Sequence, residues 1–268
     1  QDSSSAASDV YKRQLLNLYY LIGISLISFL YSIVGHAGAS GYIACMVIFD
    51  SPIEIIKPTA LILNIVVSIQ NSIRFCRDGH LDRITFKKFL IPILIFSIPS
   101  AIAGAYLKIP SKILKLFLSL ILFLSGIRFL FGKFFQNKNS SKKPKIPNFI
   151  NIGITGSILG FASGMTGTGG GIFLTPLSIL LNWMPVKTTA AVSSIFILLN
   201  SLSGITSWLI FNNISSLKST NMISKQIFIV LTMSIIGSWL GSKRFGENEI
   251  KIILSLILFF ASYKLFLN

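Results

Sequence analysis

Acidic residues are scarce in this chain. Eight Asp and Glu face 24 Lys and Arg across 268 residues, and only 12% of the sequence is charged. Soluble globular domains carry about 25%. Asp50, Glu54, Glu247 and Glu249 all fall at the ends of apolar runs, so no carboxylate relay of the kind many proton-coupled carriers use is visible inside one. Cysteine and histidine are as thin, two of each. Cys45 and Cys76 show no CxxC spacing, and His36 and His80 lie far apart without HExxH, so neither a disulfide framework nor a metal site is indicated. There is no GxxxxGK[ST], which excludes an ATPase in the same chain. A Ser–His pair, paired carboxylates or clustered histidines, the marks of an enzyme, are missing too. The expectation is a non-enzymatic protein without a cofactor.

What is abundant is apolar. Hydrophobic residues make up 52% and mean hydropathy is +0.75, the composition of an integral membrane protein. The net charge of +16 would suit nucleic-acid binding, but the basic residues sit in short loops between apolar runs. The positive-inside rule accounts for them better. The expected partner is therefore the lipid bilayer and not nucleic acid, in a multi-pass protein of the cell (inner) membrane. A homo-oligomer is compatible with this composition.

Residues 1–14, QDSSSAASDVYKRQ, are polar, lack the apolar core of a signal peptide, and read as a disordered or foreign tail. Two sets of four apolar segments follow. Residues 15–132 hold Leu15–Phe49, Pro58–Ile73, Phe89–Leu107 and Ile113–Phe131. A basic linker, 133–147, faces the cytoplasm by its lysines. Residues 148–268 hold Asn148–Leu181, Thr188–Phe211, Ile227–Leu240 and Ile250–Phe266. An offset of 130 aligns the halves without a gap, pairing Gly23 with Gly153, Gly41 with Gly171, Lys57 with Lys187, Thr59 with Thr189 and Ala60 with Ala190. Lysine is rare enough inside these runs that the shared Lys-x-Thr-Ala marks an internal duplication. The fold expected is all-α and membrane-integral, with about eight transmembrane helices in two four-helix repeats.

The first segment of each repeat is about 35 residues, roughly 50 Å as one helix at 1.5 Å per residue. That is too long for one crossing of about 30 Å and too short for two. Each reads as two helical arms joined at a glycine-rich break. If each broken segment enters and leaves on one side, the repeats are inverted; if each crosses once, they are parallel. The basic loops at 74–88 and 132–145 favour the inverted arrangement slightly.

In the second repeat the break falls in Gly164-Met165-Thr166-Gly167-Thr168-Gly169-Gly170-Gly171, inside an uncharged run from Ile146 to Val186. Non-helical backbone at membrane depth has to be packed in protein or line a wet cavity. Glycine lets backbone N–H groups approach a ligand, and a helix that starts after the break aims its positive end there. Gly167, Gly169, Gly170 and Gly171, with the hydroxyls of Thr166 and Thr168, are candidates to hold a small anion. Gly38, Ser40 and Gly41 are their counterparts in the first repeat. Close helix packing is the alternative role of such glycines. Lys57 and Lys187 would draw an anion inward, or else snorkel to the headgroups. Asn64 and Ser194 lie seven residues on, two turns down the same helix face, and would line the cavity or bind neighbouring helices. His36 is the candidate carrier of a coupled proton; its alternative role is to hold the loop.

The pattern Gly164-x-x-Gly167-x-Gly169-Gly170-Gly171-x-x-x-x-Pro176, followed by Pro185-x-Lys187-x-x-Ala190 and Ser193-Ser194, resembles the TauE/SafE sulfite-exporter family. The first half resembles the partner motif, with Gly35-His36-Ala37-Gly38-Ala39-Ser40-Gly41 and then Lys57-Pro58-Thr59-Ala60, although His36, Ala39 and Ser40 depart from its glycine-rich form. The resemblance runs from about Leu15 to the end. It implies an eight-helix bundle of two repeats and a secondary transporter, an exporter, for small sulfur-containing anions such as sulfite or organosulfonates. A passive anion channel would share every feature named. A membrane assembly protein would leave the paired glycine breaks unexplained.

Overall fold

An apolar run in lipid pairs its backbone only as helix or closed barrel. The computed structural model describes residues 2–106, 144–211 and 220–267, with helical positions 119, 120, 122, 123, 126, 127 and 130, and holds no strand among them. Most of the expected segment Ile113–Phe131 and most of the 133–147 linker lie outside the described residues. The chain runs α1 (Asp2–Ile33), α2 (Ala39–Ile48), α3 (Ile53–Arg77), α4 (Arg83–Thr85), a π-turn π1 (Phe86–Leu90), α5 (Ile91–Tyr106), α6 (Phe149–Thr166), α7 (Gly171–Leu180), α8 (Val186–Phe211), α9 (Thr220–Trp239), a second π-turn π2 (Leu240–Arg244) and α10 (Glu247–Leu267). Residues 2–14, read from the sequence as a tail, are helical backbone continuous with α1. Among the described residues, five helical stretches are long and apolar enough to cross a membrane: Ile55–Arg77, Arg83–Tyr106, Phe149–Thr166, Val186–Ile210 and Ile223–Arg244.

Both long segments are broken, as the glycine clusters predict. α1 ends with Gly35 at φ 76°, where the Gly35 N–H bonds Ser32 O and the His36 N–H bonds Tyr31 O, a Schellman closure. No other residue suits Gly35, since an added Cβ would lie 2.6 Å from the Ala190 Cβ on α8. α6 ends where Gly167 (φ 70°) bonds Ser163 O; Gly169 and Gly170 also have positive φ before α7 starts. The arms α2 and α7 are ten residues each, about 15 Å, half a hydrocarbon thickness.

Helix directions follow from which residues meet. On α3 and α8, Leu61 lies at Gly204, Asn64 at Ser201, Ser72 at Ser194 and Phe75 at Ala190 and Ala191, so these helices run antiparallel. On α5 and α6, Ile93 meets Gly156, Ser97 meets Gly160 and Ala101 meets Gly164, a parallel pair. α1 and α9 are also parallel, with Tyr20 at Gln226 and Phe29 against Gly237, and Ile33 follows against Gly241 in π2. α3 and α8 form the centre, and the parallel pairs flank them. The α5–α6 seam is a run of glycines four apart, the small-residue contact that brings backbones together in membranes. Packing is thus the role of Gly164: it is helical and buried, and an added Cβ would overlap the Ala101 carbonyl oxygen.

Gly164→Ala should therefore destabilise the protein by about 1–3 kcal/mol, the usual cost of forcing a methyl into a filled space. Gly79→Asn should cost little, because nothing lies within 4 Å of its Cβ position and Asn tolerates its φ of 79°. Thermal unfolding in detergent compares the two; equal losses would contradict the seam.

Candidate functional site

The two breaks carry backbone groups that no helix pairs, and α3 reaches both. Asn64 Nδ2 donates to Thr168 O at 3.2 Å and approaches Ser201 Oγ at 3.3 Å. Seven residues later, Asn71 Nδ2 donates to His36 O at 2.8 Å. Both asparagines are wholly buried. The two bonded carbonyls thus sit about 10 Å apart along one face of one helix. Each amide is oriented by its carbonyl partner, which must accept from the NH₂. The Oδ1 atoms of Asn64 and Asn71 point into the protein without a donor. Buried unpaired acceptors of this kind are rare in folded proteins.

Lys57 opens the same helix. Its Nζ donates to Gly164 O at 3.0 Å, in the last turn of α6, where a cation complements the carbonyl end of the helix. Its stem lies against Gly167, whose added Cβ would be 2.9 Å from the Lys57 Cγ. The second break therefore lies between one ammonium and the N-terminus of α7, a positive surround. Thr166 Oγ1 donates to Ala162 O at 2.8 Å and lies 2.8 Å from Thr168 Oγ1, so these hydroxyls are engaged with each other and with α6.

The first break is drier. His36 is 1% exposed, and its Nε2 lies 2.6 Å from Thr175 Oγ1 on α7. Thr175 in turn donates to Ser193 Oγ on α8 at 2.7 Å. With its hydrogen committed to Ser193, Thr175 accepts from His36, so Nε2 carries the proton. Ser40 is engaged by the Tyr31 hydroxyl at 2.9 Å. Gly38 has φ 100° and packs on Ile27 and Tyr42; Gly41 packs on Ile27. The breaks belong to different halves, yet His36 grips α7 of the second and Asn64 grips the second break from the first.

Of the residues expected from sequence, Lys57, Asn64, Gly167, Thr168, Gly169 and Gly170 come together at the second break, with Gly171 at the start of α7. Ser194 is two turns away on α8, donating to Ala191 O and accepting from Ser72. Lys187 does not mirror Lys57: its Nζ donates to Ser242 O in π2 at 2.8 Å. Asn71, Thr175 and Ser201 are not among the residues expected from sequence, and Ser193 enters there only as part of the motif. The missed signal was polarity on one face: Asn64, Asn71, Ser193 and Ser201 are polar and buried inside apolar helices.

Comparison with known proteins gives the same family as the motifs. The sequence model of the family described as Sulfite exporter TauE/SafE matches residues 20–265, and the chain belongs to that family. It is 32% identical over 244 residues to the probable membrane transporter protein y4hK of Sinorhizobium fredii, covering 91% of this chain and 96% of that one. It is 30% identical over 199 residues to the probable membrane transporter protein MJ0441 of Methanocaldococcus jannaschii, covering 72% and 73% respectively. No solved structure matches. Family and relatives support a membrane transporter rather than an enzyme.

Replacing Asn64 tests the bridge between α3 and the second break. Asn64→Ala strips Thr168 O of its amide donor and should lower stability by about 1–3 kcal/mol. Asn64→Asp should cost more, since a carboxylate would face the same carbonyl. Unfolding temperatures of the purified variants give the ranking, and the reverse order would mean that Thr168 O does not depend on this side chain.

Proposed function

We propose that this TauE/SafE member is a secondary transporter, an exporter, of small sulfur-containing anions such as sulfite or organosulfonates, and that the second break is where the anion binds. One observation carries the reading: a broken helix at membrane depth places Lys57, the α7 N-terminus and glycine backbone around one point, a positive surround suited to an oxyanion. Lys57 has three donors and commits one to Gly164 O. Gly169 and Gly170, both at positive φ, turn the chain here while packing on Ile197, Ser201 and Phe196. Thr166 and Thr168 exchange their mutual bond for bonds to the ligand.

The same reading makes the repeats inverted. α3 and α5 are joined by a short turn and point in opposite directions; α5 is parallel to α6, α8 is antiparallel to α3, and α9 is parallel to α1. These relations fit together when α1 and α3 point the same way, so that α2 returns on the side α1 entered. The 130-residue offset then relates two halves of opposite orientation. Lys57 and Lys187, at the starts of antiparallel helices, fall on opposite faces. Alternating access follows as motion of one half against the other around α3 and α8. His36 links the halves through Thr175 and is the proposed carrier of a coupled proton.

Flux in reconstituted vesicles tests this. Sulfite flux should saturate, and Lys57→Gln should raise the half-saturating concentration about tenfold or more, the loss of one charge-assisted contact. His36→Gln should leave sulfite binding in place while removing the response to a pH gradient. Flux that rises linearly with concentration would mean a channel instead. Orientation is read separately: cysteines at 57 and 187 should react with an impermeant reagent from opposite sides, and reaction from one side would leave the parallel arrangement.

A further inference from the structure

Away from the breaks, one polar cluster holds two cations, Arg74 and Lys243, around the Asp78 carboxylate. α3 ends in a second Schellman closure, with Gly79 at φ 79°, its N–H on Cys76 O and the His80 N–H on Phe75 O. This turn sets Asp78 and His80 against π2. Ser242 Oγ donates to Asp78 Oδ2 at 2.6 Å, and Arg74 Nε lies 2.9 Å from the same oxygen. Lys243 Nζ is 3.8 Å from Asp78 Oδ1. Since Ser242 spends its hydrogen on Asp78, His80 Nε2 donates to Ser242 Oγ at 3.1 Å and lies 3.2 Å from Ser242 O. Lys187 Nζ donates to that same carbonyl at 2.8 Å.

Burial alone would raise the Asp78 carboxyl, but the Ser242 hydrogen bond and the charges of Arg74, Lys243 and His80 outweigh it and hold the group below the ordinary carboxylate range. The carboxylate is thus a well-liganded anion in a site of excess positive charge. It is also reachable: its side chain is 14% exposed, and that of Lys243 is 56% exposed.

Beneath it lies a stack leading to the first break. Phe75 packs on Ala190 and Ala191. One turn deeper Ser72 meets Ser194, and Asn71 then holds His36 O. At the same level Gly241 sits against Ile33 O and Gly35 against Ala190. The Asp78–Ser242 bond pins the end of α3 to π2 directly over this stack.

We propose that Arg74, His80, Ser242 and Lys243 form a second subsite for a small oxyanion, held in this structure by the Asp78 carboxylate, and that an incoming anion displaces Asp78 and unlatches α3 from π2. The proposal rests on the anion-transport reading, and adds where the anion first docks and what it opens. An oxyanion matches the cradle because the Ser242 hydroxyl and the Arg74 guanidinium already meet at one carboxylate oxygen, the Lys243 ammonium faces the other, and His80 holds Ser242 in place. Lys187, at Ser242 O, adds charge beside the cradle. On the side marked cytoplasmic by the basic 74–88 loop, the subsite is the entrance to the path.

The test uses the full chain with Cys45→Ala, Cys76→Ser and Ser194→Cys, so that the single thiol lies under the Phe75 layer. Two quantities are read: binding of radiolabelled sulfate to the purified protein, and the rate at which an impermeant thiol reagent modifies residue 194. Asp78→Asn should tighten sulfate binding and speed modification, each by about five- to tenfold, as expected when a competing charge and a latch are lost. Arg74→Gln added to Asp78→Asn should abolish the gain in binding. Ser242→Ala, the milder change, should speed modification in the same direction and keeps the test usable if Asp78→Asn folds poorly. Unchanged or weaker sulfate binding in Asp78→Asn, or unchanged modification in both variants, overturns the proposal. Sulfite flux is scored apart: lost sulfite transport with faster modification and tighter sulfate would refute the substrate reading alone, while intact flux without those changes would refute the subsite alone.

Discussion

Backbone in lipid has no water to turn to, and two helices here are interrupted where that matters most. The structure depends on how those interruptions are satisfied. α3 supplies the answer from three side chains on one helix: Lys57 to Gly164 O, Asn64 to Thr168 O and Asn71 to His36 O. Two of these bonds, from Lys57 and Asn64, cross between the halves, so α3 cannot leave the second break without breaking a buried contact.

This arrangement makes the breaks interdependent. The second break belongs to the second half but is held from the first; the first break belongs to the first half but is anchored by His36 to Thr175 in the second. A ligand that binds differently at either place therefore shifts the packing of both halves, which is what alternating access requires. The α5–α6 seam is close-packed through glycines, whereas polar side chains tie α1 to α9 (Ser28 to Val230 O, Gln226 to the Tyr20 hydroxyl) and α3 to α8 (Asn64 to Ser201, Ser72 to Ser194).

The matched lysines differ in use. Lys57 and Lys187 are equivalent by offset, yet one closes the carbonyl end of α6 and the other a π-turn at the end of α9. The π-turn leaves Ser242 O open to two donors, and its packing beside Ile33 puts Lys187 near the first break without touching it. The symmetric pair of lysine-lined sites expected from sequence is thus replaced by one charged break and one neutral, histidine-bearing break. Departure from the glycine-rich motif in the first half, at His36, Ala39 and Ser40, is the sequence trace of that asymmetry.

Composition, run length and the positions of glycine were sufficient by themselves for an all-helical membrane chain and two broken helices, because each of these depends on local properties: hydropathy per residue, rise per residue, and the backbone angles only glycine takes freely. Those properties did not separate Gly164, which packs against Ala101, from Gly167, which turns the chain, since both are glycines in one cluster. Nor did they reveal Asn71, which looks like any polar residue near a helix end until the first break is seen to lie against it. Which glycine is spaced for a neighbour, which amide finds an orphan carbonyl and which lysine meets the site are settled where helices cross, and crossings join residues more than a hundred positions apart that no periodicity relates.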